Sequence, residues 1–320
     1  MLSRIAESLY WMARHLERAD NTARALDINV VHMLESDEGL TEDAQWRPLL
    51  TIFGADAGFE ARYPDRRATV QRVIHFLTQD PANPGCIHNS LRLARENARA
   101  ARDRISTAMW ESLNGFWLAA DDHLQAKLPP WRAAELYSFI HREVATFLGL
   151  TQTTMMRGEA HSFVRLGSLQ ERADMTARIL DVRYHLLLPD LSLVGSPLDY
   201  YQWGALLKSL SGFESYRRCH QNGIRPIDVV EFVILNPDFP RSITYCVNAL
   251  EHALTRIGYS PDGVAAAAIA ALRDQILEME PGRIIESGLH QYLEGLLMCL
   301  AGLGDALSTD YFEAYPGDAS

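Results

Sequence analysis

SLYWMARHLERADNTARALDI, residues 8–28, and SFVRLGSLQERADMTARILDV, residues 162–182, are two copies of one segment, and this segment decides the fold. A constant shift of 154 positions (171 − 17) places Glu17 on Glu171. Other residues of the first copy that fall on identical residues of the second are Arg18, Asp20, Thr22, Ala23, Arg24, Leu26 and Asp27. So many ungapped identities at charged and small positions indicate an internal duplication.

Two more pairs of segments extend the duplication. Trp46, Leu49 and Leu50 reappear in the same spacing as Trp203, Leu206 and Leu207. VIHFLTQDPANPGCI, residues 73–87, aligns with VVEFVILNPDFPRSI, residues 229–243. In both, a helix is predicted to end before the first proline and another to start at the second. We therefore predict one domain over residues 1–320, with internal repeats at about 1–155 and 156–320 that are related by a pseudo-twofold axis.

The first copy has the pattern of a long amphipathic helix. Its apolar residues are spaced alternately by four and three, which places them on one helical face, and no proline or glycine interrupts them before Gly39. At about 100° per residue, a row of charged side chains lies directly beside the apolar row: Glu17, Asp20, Arg24 and Asp27. These side chains are expected to be partly buried. Almost nothing in the chain alternates as a strand does, so the fold class is all-α, a helical bundle.

Most of the candidate binding residues are charged residues of the two copies: Glu17, Arg18, Asp20 and Arg24, and their counterparts Glu171, Arg172, Asp174 and Arg178. Carboxylates near a core need partners, because a buried charge without one is costly. Two interpretations stay open. The row is either a duplicated salt-bridge network that fixes two long helices, or a paired polar site that binds a ligand or partner.

A second group of candidates lies in the first half only. Arg92, Arg95, Arg99 and Arg102 follow one another at spacings of three, four and three, which forms a row on one helix face. The arginine fork suits carboxylate or phosphate, so a nucleotide, a phosphorylated substrate or an acidic partner is one interpretation. Pairing with acidic side chains of neighbouring helices is the other. In the following helix, Trp110, Leu113 and Trp117 are predicted to be core residues.

Four segments in order resemble motifs of the alpha-E family, which is named for a Glu-Arg pair. They are SRIAESLYWMARHLERAD at 3–20, ARENARAARDRIS at 94–106, ERADMTARILD at 171–181 and NPDFPRSI at 236–243. The chain departs from the family's Gly-Arg pair twice. Arg14 follows Ala13, and Gly167 is followed by Ser168, so only the first half retains this arginine as a binding candidate.

The resemblance implies an all-helical bacterial protein and a set of partners. Members of the family are encoded beside, or fused with, circularly permuted ATP-grasp amidoligases, transglutaminase-like proteins and proteasome-related hydrolases. An ATP-grasp-type amidoligase is therefore the implied partner, with a transglutaminase-like protein as a second one. The implied function is a component of a peptide-modifying or amide-forming system, and the resemblance itself implies no catalytic mechanism for the helical protein.

Composition excludes several classes of protein. A formal charge of −11 and a pI near 5.5 disfavour nucleic acid and a polybasic membrane contact. The apolar runs are too short to span a bilayer, and the amino terminus lacks the pattern of a signal peptide, so we expect a cytoplasmic protein. Four scattered cysteines form no metal or disulfide pattern. No nucleotide-binding, zinc or di-iron motif occurs, so no metal and no cofactor are expected.

Three functions remain from the sequence. The first is a non-catalytic or co-catalytic partner of an ATP-grasp-type amidoligase, whose Glu-Arg helices organise a binding site or an oligomer. The second is an enzyme in which Glu17 and Glu171 act as acid and base, assisted by Arg18, Arg172 and Arg24. The third is a purely structural scaffold. A cavity large enough for a small molecule beside the Glu-Arg helices is the feature that the enzyme hypothesis requires.

Overall fold

The protein is all-helical, as predicted. A computed structural model describes residues 1–35, 41–125, 128–187, 197–221, 223–258, 260, 262–280 and 288–313, and within these ranges it contains no strand. The helices of the first half are α1 (Ser3–Glu35), α2 (Glu42–Ile52), α3 (Asp56–Arg62), α4 (Val70–Thr78), α5 (Ile87–Ala100), α6 (Thr107–Gln125) and α7 (Pro130–Thr154). Those that follow are α8 (Glu159–Leu187), α9 (Pro197–Ser209), α10 (Phe213–Cys219), α11 (Pro226–Leu235), α12 (Ile243–Ile257), α13 (Val264–Leu277) and α14 (Leu289–Leu307), with a π-helical turn at Ser308–Phe312.

The chain forms two compact units. Unit 1 comprises residues 1–7 and 169–320, and unit 2 comprises residues 8–168. Unit 2 therefore contains most of α1, all of α2 to α7 and the first ten residues of α8. Unit 1 contains the remainder of α8 and the helices that follow it. The single domain over 1–320 stays a prediction.

Helix α1 buries the apolar row that the sequence predicts. Seven of its side chains are at most 8% exposed: Ile5, Leu9, Met12, Leu16, Ala19, Ala23 and Leu26. Each buried Leu or Met contributes about 1.5–3 kcal/mol relative to an exposed one. The neighbouring charged row is partly buried, as expected, because Glu17 and Asp20 are 2% and 3% exposed whereas Arg24 and Asp27 are intermediate.

In both proline turns a helix ends before the first proline, as predicted, but the next helix starts three residues after the second proline and not at it. Helix α4 ends three residues before Pro81, and α5 begins three residues after Pro84. Its N-cap is Cys86, whose Sγ accepts a bond from the Asn89 amide at 3.4 Å. In unit 1, Ser242 caps α12 in the same way and accepts from the Tyr245 amide at 3.0 Å. These caps satisfy amide groups that the first turn of a helix leaves without partners.

Each unit has an aromatic pair in its core. In unit 2, the rings of Phe59 and Phe76 lie edge to face at 5.4 Å. In unit 1, the rings of Tyr216 and Phe232 adopt the same arrangement at 5.6 Å. All four side chains are at most 2% exposed, and edge-to-face contact adds about 0.5–1.5 kcal/mol to the energy of burial.

Helices α5 and α6 form an antiparallel hairpin whose outer face differs from the prediction. Leu113 is 1% exposed and belongs to the core, as predicted. The prediction was wrong for Trp110 and Trp117, which remain partly exposed. The Trp117 ring lies 5.2 Å from that of His88 on α5, and the Trp110 ring lies 5.8 Å from the guanidinium of Arg102 in the turn after α5.

Candidate functional site

The glutamate of the first signature copy is a buried hydrogen-bond acceptor. The hydroxyl of Ser168, near the start of α8, donates to Glu17 Oε2 at 3.0 Å. Close contact between α8 and α1 at Gly167 makes this possible, because a Cβ at this position would lie 2.1 Å from the Tyr10 carbonyl oxygen. Only glycine allows two helix backbones to approach so closely. Glu17 is therefore part of the packing of α1 against the first ten residues of α8 within unit 2.

One turn further along α1, a buried carboxylate joins an arginine and a histidine. Asp20 Oδ2 accepts a bond from Arg24 Nη2 at 2.9 Å, and its Oδ1 lies 2.8 Å from Nδ1 of His141 on α7. The Asp20 side chain is 4% exposed, whereas that of His141 is 51% exposed. The same Nδ1 also lies 2.8 Å from Nη2 of Arg24, so this ring nitrogen contacts both members of the ion pair. His141 is the member of this cluster that reaches solvent.

Asp27 lies on the same face of α1 and is half-buried. Burial raises the pKa of its carboxyl above the ordinary 3.8, and the charges of Arg24 and His141 partly oppose this rise. A raised pKa reflects the cost of removing a carboxylate from water. The charged row of α1 thus contains two different aspartates. Asp20 is deeply buried and hydrogen-bonded, whereas for Asp27 the cost of burial outweighs the favourable charges of its neighbours.

Unit 1 contains a related cluster on α8. Arg178 donates to both oxygens of Asp174, at 2.7 and 3.3 Å. His290 of α14 places Nδ1 2.8 Å from Asp181 Oδ1. Asp174 and Asp181 occupy the repeat positions of Asp20 and Asp27, so the histidine of each unit contacts a different aspartate of the row. Glu171 is 1% exposed.

A pH-dependent contribution to stability is expected from His290. Its hydrogen bond to Asp181 raises its pKa above the ordinary 6.5, and burial opposes the rise. Because the folded-state pKa is raised, this contribution is fully present below pH 6.5 and is lost as pH rises through the folded-state value. The difference in free energy of unfolding between the wild type and His290→Gln is therefore expected to shrink as pH increases. Denaturant titrations over this range measure it, with His252→Gln, an exposed histidine of α12, as the control for loss of an imidazole. A difference that grows with pH would contradict the assignment.

Two further candidate arginines have structural contacts: Arg172, which follows Glu171, and Arg14, three residues before Glu17. Arg172 donates to the Pro240 carbonyl at 3.3 Å, and Thr176 donates to that of Arg241 at 2.9 Å, so α8 fixes the turn that precedes α12. Arg14 donates to the Tyr10 hydroxyl at 3.0 Å, and its guanidinium lies 5.2 Å from the ring of Trp11. Arg18 is half-buried on α1.

Three arginines of the predicted row lie on α5 and are only partly neutralised, but the prediction of one helix face was wrong for Arg102, which lies in the turn after α5 ends at Ala100. Arg95 donates to Asn114 of α6 at 2.8 Å and to Glu96 at 3.1 Å, and Arg99 donates to the same glutamate at 3.0 Å. Arg102 Nη2 is 3.5 Å from the Thr107 hydroxyl. The pairing expected with acidic residues of neighbouring helices is thus mostly replaced by one glutamate within α5.

Sequence reasoning missed the two histidines, because each stands alone in the sequence. A weak signal exists. IHREV, residues 140–144, and LHQYL, residues 289–293, both place a histidine after a buried aliphatic residue and three positions before another. The two histidines are 149 positions apart (290 − 141), whereas the signature segments are 154 apart. The match therefore appears only when α7 and α14 are aligned by themselves.

Unit 2 contains a cavity of about 320 Å³. It is formed between the end of α6 and the start of α7, and its lining residues include Asp122, Arg132, Glu135 and Arg142. None of the candidate site residues lines it.

Among the residues that the structure describes, no group of three or more His, Cys, Asp or Glu is arranged to hold a metal ion. No helix in the described ranges is long and apolar enough to cross a membrane.

The described residues form an all-helical protein in which the glutamates of both Glu-Arg pairs, Glu17 and Glu171, are buried. Residues 1–312 match the sequence model of the Alpha-E family, described as a predicted alpha-helical domain with a conserved ER motif. The chain belongs to the Alpha-E family. Its relatives include an uncharacterized protein of Mycobacterium bovis, 26% identical over 267 residues, and one of Mycobacterium tuberculosis strain H37Rv, 25% identical over the same length. Each match covers 77% of this chain and 29% of the relative, so the chain spans less than a third of their length. No solved structure matches the chain.

Proposed function

We propose that this protein is the helical component of a peptide-modifying, amide-forming system and acts with a circularly permuted ATP-grasp amidoligase. The observation that carries the proposal is membership of the Alpha-E family over residues 1–312. The greater length of the mycobacterial relatives supports it, because there the matched region is only 29% of a longer chain. A helical module that works with a separate catalytic domain accounts for the family membership and for the greater length of the relatives. The proposal places the protein in the bacterial cytoplasm, where the ligase has access to ATP.

The internal duplication is part of the proposal. Helices α1 to α7 and α8 to α14 have similar lengths in the same order, including a seven-residue third helix in each series. The edge-to-face pairs of Phe59 with Phe76 and of Tyr216 with Phe232 occupy matching repeat positions. Two copies of one ancestral unit explain these correspondences with fewer coincidences than independent origins.

The Glu-Arg helices serve as the assembly framework in this proposal. Glu17 and Glu171 are at most 2% exposed, and Glu17 accepts a bond from Ser168. A general acid or base must reach the proton that it transfers, directly or through one water molecule. Such deep burial therefore favours a role in fixing the helices over direct acid–base chemistry. A homo-oligomer formed by the same helices is an alternative assembly.

Direct binding to the ligase tests the proposal. The purified chain is mixed with a circularly permuted ATP-grasp amidoligase from the same organism, and the complex is followed by size-exclusion chromatography with light scattering. A stoichiometric complex, together with amide formation that requires both proteins, is the expected result. A ligase that works equally well without this chain would overturn the proposal. A homodimer in the absence of ligase identifies the alternative assembly.

Glu17→Gln separates the framework role from the enzyme hypothesis. The substitution keeps the shape and the acceptor for Ser168 but removes a buried charge. We expect the free energy of unfolding to decrease by about 1–3 kcal/mol. The amide-forming activity per folded molecule is expected to stay unchanged. A general acid or base would instead lose about 10²–10⁴-fold in rate. Glu7→Gln, at an exposed position of the same helix, is the matched control. A loss of activity without loss of stability would support the enzyme hypothesis.

A further inference from the structure

The outer face of the α5–α6 hairpin combines guanidinium groups with partly exposed indoles. We define the Arg–Trp face by six residues: Arg92, Arg95, Arg99, Arg102, Trp110 and Trp117. Arg92, Arg95 and Arg99 form a stripe along α5, Arg102 lies in the turn after this helix, and the two tryptophans lie on α6. Contacts at the two ends of the hairpin, between Arg102 and Trp110 and between His88 and Trp117, bring the stripes together.

The structure holds part of this face in place before any ligand binds. The Arg102 guanidinium lies 5.8 Å from the Trp110 ring, a cation–π distance. Arg95 is fixed by a 2.8 Å bond from its Nε to Asn114 Oδ1, and its Nη1 donates to Glu96. Side chains already held in one geometry lose less entropy when they bind. Asn114 lies between the two tryptophans in sequence and thus links the stripes at their middle.

The face has an excess of positive charge on an otherwise acidic protein. The four guanidinium groups are accompanied by Glu96, which contacts Arg95 and Arg99, and by Asp121, which lies 3.0 Å from His88. Glu111 is exposed on α6 next to Trp110, and Asp103 pairs with Arg104, so four arginines face three other carboxylates. The Arg92 side chain is exposed, and the Arg99 side chain is 68% exposed. The chain as a whole carries −11. An acidic ligand is therefore attracted to this face and repelled by most of the remaining surface.

We propose that the Arg–Trp face is a docking site for a carboxylate-rich peptide segment of a partner or substrate. The arginine fork binds carboxylates with two parallel hydrogen bonds, and indole rings supply rigid contact area that is apolar at one end and polar at the other. Arg92 and Arg99 are seven positions apart on α5, which is about 10 Å along the helix. An extended peptide covers this distance with about three residues, so a short acidic segment matches the face in length and in charge.

Nucleic acid fits the face less well. A polynucleotide carries a dense row of phosphates, and its binding needs many basic contacts along a groove. The small positive excess of this face is surrounded by a chain of net charge −11, which repels a long polyanion. A peptide with a few carboxylates requires no more cations than the four arginines provide.

The test uses the full chain and a fluorescein-labelled hexaglutamate peptide, with binding measured by fluorescence anisotropy at about 0.15 M ionic strength. We expect saturable binding that weakens as salt increases. The variant Arg92→Glu/Arg99→Glu changes two exposed side chains, and its folding is checked by circular dichroism. Loss of two charge-assisted contacts is expected to weaken binding by about tenfold or more. The matched control is Arg217→Glu/Arg218→Glu, which makes the same change of charge at exposed positions of α10 and is expected to bind as the wild type does.

Further variants and competitors distinguish recognition from general charge attraction. Arg92→Lys/Arg99→Lys keeps both charges but loses the planar fork, and it is expected to bind more weakly than the wild type. No saturable binding of hexaglutamate below about 1 mM, or an equal loss in the α10 control, overturns the proposal. Tighter binding of a six-nucleotide oligothymidylate also overturns it and assigns the face to single-stranded nucleic acid. The test needs no ligase, so its outcome is independent of the proposed amidoligase partnership.

Discussion

Gly167→Ala is expected to lower the free energy of unfolding by about 3 kcal/mol or more. The added Cβ would lie 2.1 Å from the carbonyl oxygen of Tyr10 and 2.9 Å from its carbonyl carbon. Both atoms belong to the backbone of α1, so no side-chain rotation relieves the overlap and the two helices must separate. Such a loss is a large fraction of the 5–15 kcal/mol that is typical of a folded domain. Urea denaturation followed by circular dichroism measures the change.

Two other glycines provide the control for Gly167→Ala. Gly115 on α6 and Gly149 on α7 are also helical, and a Cβ at either position meets no atom within 4 Å. Alanine there is expected to stabilise the protein by about 0.5–1 kcal/mol, because it favours the helix more than glycine does. An equal gain in stability from all three substitutions would show that α8 does not approach the backbone of α1 closely at Gly167.

Asp20→Asn is expected to destabilise the protein by about 3 kcal/mol. The substitution keeps the size of the side chain but removes the negative charge that Arg24 and His141 contact at 2.9 and 2.8 Å. The side chains of Asp20 and Arg24 are only 4% and 12% exposed, so water replaces little of the lost interaction. Removing one member of a buried ion pair is far more costly than removing a pair at the surface. Thermal and denaturant unfolding of the purified variant measure the loss.

The repeat supplies a matched comparison for Asp20→Asn. Asp174 occupies the same position of the second copy and contacts Arg178 in the same i,i+4 geometry, but the two side chains are 16% and 37% exposed. Solvent screens this pair more strongly, so Asp174→Asn is expected to cost about 1 kcal/mol or less. Equal losses for the two variants would show that burial does not set the strength of these pairs.

Much of the helical architecture is predictable from the sequence because it depends on local periodicity. The four-and-three spacing of apolar residues in α1 predicts both the helix and its buried face, which includes Leu9, Met12 and Leu16. Proline positions predict where α4 and α11 end, because proline cannot continue a helix without loss of a hydrogen bond. Partial burial of the charged row follows from its angle to the apolar row, so Glu17 and Asp20 are candidates before any coordinates are known.

The partners of the charged row are not predictable in this way. His141 contacts Asp20 across 121 positions of sequence, and Ser168 contacts Glu17 across 151. No periodicity within one helix indicates which residue of another helix reaches it. The same limit explains the error at Trp110 and Trp117. Their spacing is compatible with a core face, but the packing of α6 against α5 leaves both rings at the edge of that face.

The sequence by itself determined the all-helical class, the family and the position of the charged row, since short-range spacing fixes which residues share a helix face. Only the tertiary structure decided how deeply each charge is buried and which distant side chain binds it. The physical reason is that the strength of a charged contact depends on the water that packing excludes, and packing depends on residues far apart in the chain.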